Sequence, residues 1–156
     1  MWEIYLQQIR EEKELYDEEI NSGASEKEIY ELVTTAKEKW NMEIPQQYLD
    51  VLSRINGIEF NVFILYGVDQ YLLEHEMKQL VYGLLEFNHI WYENEKQREY
   101  LFLGESNISW YVYQYKINVI WNWISRLEEK SIDSVIFTKC LIRFWMRRLR
   151  DKEGNA

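Results

Sequence analysis

The 156-residue chain has one cysteine, one proline, two histidines and six glycines, and each scarcity removes a class of function. A single Cys140 cannot close an internal disulfide, so a disulfide-stapled secreted scaffold is excluded and a reducing compartment is expected. His75 and His89 stand 14 residues apart without a cysteine pair, whereas a zinc site needs three or four converging ligands. No metal or cofactor is therefore expected. Gly67 and Gly104 are isolated turn glycines, which leaves no loop to cradle a phosphate. No run of 18 apolar residues occurs, so no transmembrane helix is expected. Met1-Trp2-Glu3-Ile4-Tyr5 lacks the basic and apolar regions of a secretory signal, which points to the cytoplasm.

Positive charge is also short. The formal net charge is −9, with 18 acidic and 7 basic side chains in residues 1–90 against 3 and 6 in residues 131–156. Such a field repels nucleic acid and anionic membranes and favours a protein partner with a basic surface, or no electrostatic partner at all, over DNA or RNA. What the chain has in plenty is aromatic: 16% of residues, including seven Trp and twelve Tyr, within a hydrophobic fraction of 47%. That composition supports a packed core, and the length suits one domain over residues 1–156.

Helical spacing of Trp2, Tyr5, Leu6, Ile9, Tyr16 and Ile20 predicts a first helix ending near Asn21-Ser22-Gly23. Its acids, such as Glu11, Glu14 and Glu18, read as a solvated face. Ser25 followed by Glu28 is a capping box, opening a helix with Ile29, Leu32, Val33, Ala36 and Trp40 on its apolar face. Pro45 starts a short helix over about residues 45–54, with Gly57 expected as the left-handed residue that ends it. A strand is expected at 62–66, a turn at Gly67-Val68-Asp69-Gln70, and one helix or two over 74–94 with a possible break at Gly83. Strands follow at 100–104, 108–113 and 117–124, with turn chemistry at Gly104-Glu105-Ser106-Asn107. A last helix is expected from Ser131 or Asp133 to Arg150, with Lys139, Arg143, Arg147 and Arg150 on one face. Helices first, strands clustered in the middle and a C-terminal helix predict an α+β fold with a central, mostly antiparallel sheet.

Three stretches resemble the SUKH superfamily (the Smi–Knr type), and within it the bacterial YrhA-like branch. They are Trp40 with Ile44-Pro45 and the run from Tyr48 to Glu59, then Phe63-Ile64-Leu65-Tyr66-Gly67, then Trp91-Tyr92-Glu93-Asn94-Glu95 leading into Tyr100 to Tyr111. The likeness covers about residues 1–115. It implies an immunity protein that binds and neutralises a cognate toxin of a bacterial polymorphic or contact-dependent system, without chemistry of its own. A scaffold or regulatory binding protein of the same fold is the alternative.

Carboxylates on turns of a rigid sheet suit recognition of a cationic cleft. Asp69, Glu74, Glu76, Glu93, Glu95 and Glu105 are accordingly the expected partner contacts, with Tyr111 and Tyr113 as aromatic anchors. Sequence offers no means of picking a catalytic pair from 27 acids, so no catalytic residue is assigned. Cys140, in an apolar helical pattern, reads as a buried inert thiol.

Overall fold

A computed structural model of the chain describes residues 2–107, 109–124 and 130–131. Helix α1 spans Trp2–Leu15. It stops well short of Asn21 because Asp17 adopts a left-handed conformation (φ 52°). The Glu18 amide then reaches back to the Lys13 carbonyl and the Asp17 amide to Glu14, the hydrogen bonds of a Schellman end. Tyr16 is left in solvent while Ile20 and Asn21 turn inward.

Helix α2, Glu26–Trp40, opens with the expected capping box: Ser25 Oγ accepts from the Glu28 amide, and the Glu28 carboxylate accepts from the Ser25 amide. Leu32 and Ala36 are fully buried along its inner face. Helix α3, Gln46–Leu52, follows Pro45 and buries Tyr48, Leu49, Val51 and Leu52. Its last turn closes at Ser53, so Gly57 does not end the helix. Gly57 instead takes a positive φ of 74° as the chain enters the sheet, a conformation that glycine adopts freely.

The strand expected at 62–66 is really the second arm of a hairpin. Strand β1, Ile58–Phe60, pairs antiparallel with β2, Phe63–Leu65. Asn61 and Val62 form the connection with φ of 46° and 63°, a two-residue turn of primed type. The expected helix over 74–94 shrinks to α4, Leu84–Trp91. Residues 73–83 form an irregular strap instead, because side chains elsewhere take its backbone groups. The Asn21 amide accepts from the Gln79 N–H and donates to the Gln79 carbonyl.

Strands β3, Tyr100–Glu105, β4, Ser109–Gln114, β5, Val119–Ile124, and β6, Lys130–Ser131, complete the sheet. Its order is β1-β2-β3-β4-β5-β6, antiparallel throughout. The architecture is α+β, as expected. Ser131 lies in β6 rather than in a helix; the rest of the expected final helix lies outside the described residues.

The register sorts the sheet into two faces. Ile58, Leu65, Gly104 and Tyr111 form one cross-strand row, and all four are buried. Glu59, Ile64, Glu105 and Trp110 form the next row, on the opposite face. Between Phe102 and Gly104 the register slips by one residue, a β-bulge at Leu103. The extra residue places Phe102 and Glu105 on the same face, although strict alternation would separate them. Helix α4 covers part of that face: Trp91 stacks on Phe102 with ring centroids 4.4 Å apart and meets Trp110 edge-on at 5.4 Å.

Candidate functional site

Asp69 is not a surface contact. It is 1% exposed, and its carboxylate accepts hydrogen bonds from the Leu85 and Glu86 amides at 2.9 and 2.8 Å. Those amides are the unpaired donors of the first turn of α4, whose own cap position is Gly83. The carboxylate arrives from a distant loop to do what a Ser or Asp side chain does locally. Glycine is required at 83 because a Cβ there would collide with the Asp69 carboxylate. Burial raises the pKa of Asp69, opposed by the two amides.

Tyr111 and Tyr113 are not exposed anchors either. Tyr111 is 5% exposed and packs edge-on against Phe63; Tyr113 is 8% exposed and donates its hydroxyl to Asn118 Oδ1 at 3.0 Å. Both belong to the face that packs into the core. The alternation of β4 implied one wet face, but both of its faces are covered.

The remaining acids separate into three places. Glu74 and Glu76 line a cleft of about 460 Å³ between the Asn21–Ser25 segment and the strap, together with His75, Met77 and Lys78. Glu74 is already engaged, paired with Lys27 at 3.3 Å, and its amide donates to Glu28. Glu93 and Glu95 are exposed in the turn between α4 and β3. Glu105 lies at the far end of β3 and is half-buried.

Glu105 stands in the most developed surroundings. It belongs to the strand rather than to the following turn. In register it lies between Ile64 and Trp110. The Tyr66 ring, fully buried, brings its hydroxyl beside the carboxylate. Burial raises the pKa of Glu105, while Tyr66 and Trp110 partly counter the shift. Burial and the neighbouring Glu105 charge push the Tyr66 hydroxyl far above the usual phenol range.

Around this carboxylate the aromatic rings run on continuously. Tyr66 lies 4.4 Å from Phe87 and 6.3 Å from Tyr82, and Phe87 lies 6.3 Å from Trp91. Beside them is a groove of about 340 Å³ lined by Glu59, Ile64, Leu80, Val81 and Tyr82. Leu80 and Tyr82 project from the strap, 82% and 54% exposed. Glu59 and Ile64 do not stand out in the sequence, because a single expected strand at 62–66 hides the hairpin that aligns them. The spacing of Leu80 from Met77 and Leu84 imitates a buried helix face, yet in the strap its side chain meets solvent. The missed signal was Asn61, a residue that tolerates the left-handed turn.

Among the described residues, no group of three His, Cys, Asp or Glu side chains is placed to hold a metal ion, and no helix is long and apolar enough to cross a membrane. No protein-family model matches the chain, and neither does any curated protein.

Proposed function

We propose that this protein acts by binding another protein, as an immunity protein that neutralises a cognate toxin domain and carries out no reaction itself. The observation that carries the reading is the Glu59–Ile64–Glu105 row, two carboxylates flanking an apolar floor beside the protruding Leu80 and Tyr82. Exposed aromatic and aliphatic groups next to charge are the usual ingredients of an interface centre. The net charge of −9 adds a field that draws in a basic partner. The SUKH resemblance supports the same reading. Its residues coincide with α3, the β1–β2 hairpin and the β3–β4 pair, and they include Glu59 and Ile64 of the groove.

The test is co-expression with the toxin domain encoded beside this chain, followed by calorimetry on the purified pair. Growth protection and a complex that weakens as salt rises are expected. Absence of both protection and binding would overturn the reading and favour a scaffold serving a different cellular partner.

A further inference from the structure

We propose that the groove beside Tyr82 receives a single arginine side chain of a protein partner, with its stem over Ile64 and its guanidinium at Glu105. The proposal rests on the protein-binding reading above and names the chemistry of the contact.

Geometry supplies the first argument. Glu59, Ile64 and Glu105 are directly opposite one another on three adjacent strands, so the two carboxylate-bearing positions are separated by about 10 Å, two strand spacings. A side chain entering past Glu59 crosses Ile64 before its tip reaches Glu105. Arginine fits such a path because its stem covers apolar surface while its head remains polar.

Charge supplies the second. Ion pairs among the described residues join Lys13 to Glu18, Lys27 to Glu74, Lys37 to Glu43 and Lys116 to Glu99, and none uses Glu59 or Glu105. Glu105 has nevertheless given up part of its hydration, and the groups beside its carboxylate, the Tyr66 hydroxyl and Trp110, are neutral. A half-buried carboxylate with only neutral donors beside it gains from a charged one.

The aromatic wall supplies the third and selects arginine over lysine. Tyr82 is more than half exposed, and its ring contacts Tyr66 and Phe87 from behind. A planar guanidinium stacks on such a ring and still offers a fork of donors to a carboxylate; an ammonium is a compact, strongly hydrated charge.

The full chain, isotope-labelled for NMR, tests this with Nα-acetyl-arginine amide as probe. Saturable shifts are expected at the Ile64 methyls and the Tyr82 ring. The uncharged isostere Nα-acetyl-citrulline amide, or the Glu105→Gln variant, should weaken binding about tenfold, the worth of one charge-assisted contact. Glu59→Gln, an exposed change that leaves the backbone pairing intact, should weaken it by a smaller factor and covers the case of Glu105→Gln failing to fold. Equal shifts from the citrulline or lysine amide, or shifts away from the groove, would overturn the assignment. A cognate toxin bound equally well by wild type and the Glu59→Gln/Glu105→Gln double variant would overturn the arginine contact while leaving the immunity reading standing. Failure of the wild type to bind or protect removes that reading alone, since the arginine titration needs no toxin.

Discussion

The side chain of Gln79 pairs with the backbone of Glu59 as a neighbouring strand would: the Glu59 amide donates to Gln79 Oε1 and Gln79 Nε2 donates to the Glu59 carbonyl, both at 3.0 Å. Strand β1 is an edge of the sheet, and unpaired edges invite pairing with other chains. The strap therefore blunts the edge with an amide. Gln79→Ala should cost about 1 kcal/mol of stability and promote self-association that grows with concentration. Sedimentation velocity over a concentration series checks this; a strictly monomeric variant would show that the edge needs no cover.

Asn88 performs a similar service inside the molecule. Fully buried, it accepts from the Phe102 amide at 2.8 Å and donates to the Phe102 carbonyl at 2.9 Å and the Leu84 carbonyl at 2.7 Å. It locks α4 to β3 where the bulge disturbs the ladder. Asn88→Ala leaves buried backbone groups unpaired and should cost about 2–4 kcal/mol, read as a lowered urea midpoint. A loss under about 1 kcal/mol would mean that water or neighbours replace the amide.

Asp69→Ala should lower stability by about 1–2 kcal/mol, the worth of a helix cap, and leave partner affinity unchanged. Chemical denaturation and calorimetry on the same preparation separate the two effects. A loss of affinity without a loss of stability would return Asp69 to the interface.

Val62 holds φ 63° in the hairpin turn and is largely exposed. A β-branched residue is poorly suited to that conformation. Val62→Gly creates the favoured Asn-Gly turn and should stabilise by about 0.5–1 kcal/mol, the relief of strain outweighing the added freedom of the unfolded chain. A thermal midpoint at or below that of wild type would contradict this.

Glu105 also gives a pH signature. Its folded-state pKa is raised by burial, so its contribution to stability is fully present below the ordinary glutamate pKa and is lost as pH rises through the folded value. The stability of wild type relative to Glu105→Gln should accordingly fall as pH rises above the ordinary glutamate value of about 4.3. Urea midpoints of both proteins across that range provide the measurement, and a difference that grows with pH would reverse the sign.

Local chemistry was the legible part of this fold. Ser25 with Glu28, Pro45 before a helix, and the apolar run Leu101-Phe102-Leu103 are readable because each acts through its immediate neighbours. What escaped reading depends on partners far along the chain. Asp69 caps a helix 15 residues ahead, and Asn21 captures the strap at Gln79, 58 residues on. The spacing of Met77, Leu80 and Leu84 suits a helix, but tertiary hydrogen bonds override it. The candidate site is half visible in the sequence: Glu105 is one of six acids expected at a contact, but the bulge that sets its face leaves no local signature, and Asn61 alone marks the hairpin that sets Glu59 opposite Ile64. Tyr111 and Tyr113 misled because alternation shows which residues share a face, not whether anything lies over it.

The sheet's order follows the order of the chain, and this bears on how the molecule assembles. Every lateral pairing is closed by a short connection except the one between β2 and β3, which encloses residues 66–99. Two pieces can thus form independently, a small N-terminal hairpin and a larger meander, whose union carries the main loop-closure cost. Asn88 sits within the enclosed stretch and is bonded to the meander, so in the folded state it ties that stretch to the larger piece. Lengthening this connection should slow refolding and leave the unfolding rate nearly unchanged.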